Sequence, residues 1–186
     1  MKGEILTNPH KTKAVISIAR WLLAILSSIG VATSLVIYVA SFRALTLDSM
    51  GNWMFVLHIG IFFLLIPMYA IEYSAMRNRT FFWDDFKRGK PAWSVPAIQL
   101  LGLFFIIHFV LFLVLSHAAS PDIMNGQYVL NDHGQIRKIL TESEYLSLKG
   151  SELRIFATGW IFFYFALTMY WWFPRWKGTP DQNQAK

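Results

Sequence analysis

The chain contains no cysteine. That excludes disulfides, thiolate metal sites and a cysteine nucleophile, and it leaves the redox compartment open. Charge is scarce: 15% of the 186 residues are charged, against about 25% in an average soluble domain. Catalytic signatures are missing as well. The chain has no G-x-x-x-x-G-K-S/T, H-E-x-x-H, G-x-S-x-G or G-x-G-x-x-G, so phosphate-loop, zinc-protease, serine-hydrolase and dinucleotide chemistry have no motif to stand on. No internal repeat is visible beyond the spacing of the apolar runs.

What the chain has in abundance is uninterrupted apolar sequence. Hydrophobic residues make up 55%, and four runs carry no Asp, Glu, Lys or Arg: Trp21–Phe42, Ser49–Ile71, Pro91–Pro121 and Ile155–Pro174. Crossing a bilayer takes about 20 apolar residues as a helix, and all four runs suffice. Lipid admits only helices or closed barrels, and continuous apolarity without period-2 alternation selects helices. The expectation is an all-α integral membrane protein, a four-helix bundle with spans at about 17–42, 53–74, 94–118 and 154–174. The first run exceeds the ~7–15 residues of a signal-peptide core, and Tyr38-Val39-Ala40 is a poor cleavage site, so it is expected to remain as a span.

The net charge of +6 does not point to nucleic acid, because the basic residues flank the spans instead of forming a patch. Lys2, Lys11 and Lys13 precede the first span. Arg77, Arg79, Lys87, Arg88 and Lys90 lie between the second and third, and Arg175, Lys177 and Lys186 follow the fourth. The first loop has Arg43 alone. This bias predicts cytoplasmic termini, as in a bacterial inner membrane. Phe81-Phe82-Trp83 in the basic loop read as a headgroup-level piece, and 178–186 as a disordered tail.

Residues 119–153 are then the extracytoplasmic segment. Gln127–Asn131 and Gln135–Leu140 read as strands of a hairpin turning at Asp132-His133-Gly134. Thr141 and Glu144 have capping-box spacing, so a helix begins near Glu142 and runs towards Lys149. Whether it continues through Gly150 is left open by the sequence.

Small residues in the first span, Ala24, Ser28 and Ala32 with Gly30 and Ser34, form a packing face towards the second or fourth span, or towards a second copy in a homo-oligomer. In the second span His58, Phe62, Leu65, Tyr69 and Glu72 fall within about 40° of one stripe, expected to face the bundle interior. Pro67 frees the carbonyl of Phe63 on the same helix. Glu72 and Arg20 stand at similar depth and are expected to pair. His58 and His108 are the weak candidates for b-type haem ligation, but their depths differ by ~8 Å at 1.5 Å per residue. His117 is near the outer surface and, nine residues from His108, points the opposite way. The paired helical histidines of the four-helix cytochrome b561 type are not matched, and no metal site is expected.

The expected function is therefore non-enzymatic: a multi-pass membrane protein that works through protein contacts made by 119–153, with the bilayer as its other partner. Four spans, this length and internal termini resemble the layout of the colicin A type of immunity protein. That likeness implies protection against a pore-forming toxin; an accessory subunit of a membrane complex has the same needs. The alternatives are a redox or proton-handling component using His58, Tyr69, Glu72 and His108 with haem or quinone, and a small channel or transporter subunit.

Overall fold

The computed structural model describes residues 9–43, 45–77, 87 and 89–173, without the side chains of 9–16, 72 and 74–77. The headgroup-level reading of Phe81–Trp83 and the tail 178–186 fall outside them. In order, the elements are α1 (Pro9–Ala40), α2 (Leu47–Met50), α3 (Trp53–Arg77), α4 (Ser94–Leu115), β1 (Ser120–Met124), β2 (Gln127–Asp132), β3 (Gln135–Ile139) and α5 (Glu142–Trp172). Helices α1, α3, α4 and α5 are each long and apolar enough to cross a membrane, which fits an integral membrane protein.

The organising element is α5. Its buried side chains Leu153, Ala157, Trp160, Tyr164, Leu167 and Trp171 alternate by four and three residues, the 3.5-residue period of a coiled-coil seam. Helix α1 answers with the same period. Ala24, Ser27, Ser34 and Ser41 are buried, and Val31 and Tyr38 are partly buried between them. The sequence-based face of Ala24, Ser28 and Ala32 runs every four residues and drifts off this seam, so Ala32 is exposed. The buried serines satisfy themselves: Ser27 Oγ donates to Ala24 O (2.9 Å), Ser34 to Gly30 O (2.7 Å) and Ser41 to Tyr38 O (2.6 Å). They behave as small residues that carry no polar debt across the interface.

Tyr164 fixes the junction of α1, α3 and α5. A Cβ on Gly30 or on Gly60 would overlap the Tyr164 side chain, so both glycines are required by close approach. The hydroxyl donates to Leu57 O at 2.7 Å. Helix α4 joins differently, through a reciprocal pair. Gly102 makes room for Phe162 of α5, and Gly159 of α5 makes room for Phe105, with Cβ contacts of 3.2 and 3.3 Å.

Helix α5 is continuous through Gly150. A Cβ there would stand 3.0 Å from Ser41 O, so this glycine admits the end of α1 and does not stop the helix. The N-terminus has the expected capping box, Thr141 with Glu144. The expected two-stranded hairpin is a three-stranded antiparallel sheet, order β1-β2-β3. Two residues with positive φ make each turn: Asn125 (51°) and Gly126 (76°), then His133 (51°) and Gly134 (89°). Both match the two-residue turns that suit the twist of paired strands.

Candidate functional site

The sheet and the start of α5 form a platform at one end of the helices. Ala119, Leu130, Leu140 and Tyr145 make a small core of their own, with Tyr128 and Leu148 packed against it. The platform is tied down by polar contacts. Asp48 in α2 stands 3.2 Å from Lys149 Nζ and accepts from Tyr145 Oη at 3.4 Å. Arg154 donates to Ser41 O (3.3 Å) and Ser151 Oγ (2.6 Å), and its guanidinium lies 4.7 Å from the Phe42 ring centroid.

On this anchored base β3 is bare. Every residue of it is exposed, including Ile136 at 48% and Ile139 at 62%. The strand order leaves its outer edge without a partner strand among the described residues. Lys138 Nζ reaches Glu144 at 2.7 Å, and Asp132 bonds His133 Nδ1 (2.6 Å) and Arg137 Nε (2.9 Å). The Lys138 ammonium, with the Thr141 cap, pulls the Glu144 carboxyl down to about 2. His133 and then Arg137 lower that of Asp132. Both carboxylates precede the apolar part of α5 and stay ionised through the neutral range.

The polar candidates on the long helices are dispersed. His58 Nδ1 lies 3.1 Å from Trp160 Nε1. An indole N–H only donates, so His58 accepts there and carries its proton on Nε2. His108 Nδ1 lies 3.0 Å from Phe104 O and its Nε2 3.2 Å from Tyr38 Oη. A carbonyl only accepts, so His108 donates through Nδ1 and accepts from Tyr38. Each imidazole has thus committed its one lone pair to a different helix, and an axial haem bond at either would have to displace an internal donor. No cluster of three metal-ligating side chains occurs among the described residues. His117 is exposed just beyond α4, in a left-handed conformation (φ 50°) followed by Ala118 (φ 59°), where the chain reverses into β1.

The polar stripe of α3 faces inward only in part: His58 bonds α5 and Leu65 packs on the core, while Phe62 and Tyr69 do not. The buried residues are Leu57, Ile61 and Leu64, about one position round the helix from the expected set. Tyr69 is 53% exposed and meets Tyr73 edge-on, while Phe62 faces outward as well. Arg20 is half-buried. Its expected pairing with Glu72 falls outside the described residues. Of the small residues in α1, Ser28 accepts a 2.9 Å bond from Trp172 Nε1 and donates to Ala24 O at 2.8 Å.

Sequence reasoning missed Trp160, Tyr164 and Arg154. The signal available was chemical: a tryptophan or tyrosine inside an apolar run must find an acceptor for its N–H or O–H. It also missed β1, which Asn125-Gly126 announces as a hairpin turn. Comparison of the chain with family profiles, curated proteins and solved structures gives no match in any of the three.

Proposed function

We propose that the chain is a non-enzymatic four-pass protein of a bacterial inner membrane that binds a protein partner on the outer side through the platform at 119–153. Both termini are cytoplasmic in this reading, which the flanking charge bias supports. The concrete form is an immunity-type protein that meets a pore-forming toxin at the membrane surface. The observation that carries the reading is β3: a fully exposed strand with two exposed isoleucines and an outer edge unpaired among the described residues, mounted on a base that is otherwise packed and ion-paired. An unpaired strand edge recruits an extended segment of another chain through backbone hydrogen bonds, with side-chain contacts adding selectivity.

The test is a pair of exposed substitutions, Ile136→Lys with Ile139→Lys, which leave the small core under β2 untouched. A photo-crosslinker at position 136 should give a discrete membrane adduct in cells, and the double variant should lose that partner while inserting normally. Partner capture unchanged by the double variant would sink the reading. Because the chain has no cysteine, its orientation is directly measurable. A single cysteine at Asn125 should react with an impermeant maleimide in intact spheroplasts, and one at Gln184 only after lysis. The reverse pattern would put the platform inside.

A further inference from the structure

A cleft of about 390 Å³ lies between α3, α4 and α5. Helix α3 contributes His58 and Phe62, α4 Phe105 and Phe109, and α5 Phe156 and Trp160. The volume falls within the ~300–1,000 Å³ of small-molecule sites. Phe62 and Phe109 are exposed at its margin, so the cleft is open sideways, where a membrane protein meets lipid. Gly159 and the Phe105 ring that packs over it form part of the floor.

The walls are aromatic, and the imidazole is their polar exception. Trp160 spends its N–H on His58 Nδ1, which forces the His58 proton onto Nε2. That N–H finds no acceptor among the described residues. Phe156 and Trp160 meet the imidazole edge-on at centroid distances of 5.6 and 5.7 Å and hold it in place. The site thus offers flat apolar walls and one fixed neutral donor. A lipid acyl chain would fill the walls and leave the donor unmet. A flat ring with a carbonyl at its edge meets both, since aromatic walls favour ring contacts and a desolvated N–H favours an acceptor.

We propose that this cleft binds a membrane-dissolved quinone, with a ring carbonyl accepting from His58 Nε2–H. The proposal concerns binding only. It rests on the membrane location of the chain but not on the platform's partner, and incorporation into nanodiscs checks that location separately.

The experiment is tryptophan-fluorescence quenching of the full chain in nanodiscs, titrated with decylubiquinone and, in parallel, with decylbenzene, which has an apolar ring and tail but no carbonyl. Quenching by the quinone should saturate, and decylbenzene should displace it poorly. His58→Leu should weaken quinone binding about five- to tenfold, the value of one neutral hydrogen bond. His58→Gln, whose amide can accept from Trp160 and still donate, should stay within about threefold of the parent. Equal competition by decylbenzene would overturn the proposal, as would an unchanged His58→Leu or non-saturable quenching. If His58→Leu fails to enter nanodiscs, the decylbenzene competition and the His58→Gln titration decide alone.

Discussion

Helices α1 and α4 both run antiparallel along α5 and are both apolar, yet they hold to it in different ways. Helix α1 lays a 3.5-period seam that includes Ala24, Ser27 and Ser34 along α5, and beside it Gly30 lets the Tyr164 ring reach the backbone. Helix α4 buries only Ser94 and Ile98 and touches α5 through the Gly102–Phe162 and Gly159–Phe105 exchange. Between helices in lipid, apolarity supplies no preference, because lipid tails are as apolar as leucine. Close approach decides, and close approach needs small residues in register. The more apolar helix is therefore the one held more loosely.

Gly30→Leu should break this contrast most sharply. The added side chain collides with a ring already pinned against Gly60, so the expected loss is about 3 kcal/mol or more. Gly102→Ala meets a half-buried Phe162 that can yield, and should cost about 1 kcal/mol or less. Unfolding in mild detergent, followed by near-UV circular dichroism, measures both; equal losses would erase the distinction between the two interfaces.

A smaller effect sharpens the comparison. Tyr164→Phe keeps the ring between the glycines but leaves Leu57 O without its hydroxyl partner, for a loss of about 0.6–1.5 kcal/mol in the same unfolding measurement. A loss as large as that of Gly30→Leu would mean that the hydrogen bond, not close approach, holds the junction.

The smallest effect separates the platform from the helices. Folded Glu144 titrates near 2, below its ordinary value of 4.5, and Asp132 is shifted the same way. A lowered carboxylate pKa stabilises the fold above the unfolded value and ceases to do so as pH falls through the folded one. Stability of the sheet should hold above about pH 4.5 and decline towards pH 2, as read by amide hydrogen exchange at 127–139, with the α1–α5 seam unaffected. Replacing Lys138 with Met should flatten that decline.

Much of this was readable beforehand. The four long apolar helices follow from the lengths of the apolar runs, and the Thr141–Glu144 box from side-chain chemistry three residues apart. Both depend on local sequence alone. The seam was not readable, because a four-residue and a 3.5-residue spacing share Ala24 and diverge only by Ala32. Continuity through Gly150 depends on where Ser41 O arrives, which no window around Gly150 contains. β1 hid behind Pro121, a residue tolerated there because the strand is an edge. The expected inward stripe of α3 holds at His58 and Leu65 and fails at Phe62 and Tyr69, because contact with other helices, not polarity, decides which face is covered. Tyr69 is exposed, and His58 is held by a tryptophan more than a hundred residues away.

That α5 is the hub also has a consequence for synthesis. It follows the other three long helices in the chain, so α1, α3 and α4 leave the ribosome before the surface they pack on exists. Each is long and apolar enough to cross a membrane by itself, but among the described residues they touch one another little. The surface that gathers them is therefore complete only once α5 has been made. Until then Ser27 and Ser34 have no α5 to cover them, although their hydroxyls are already bonded within α1.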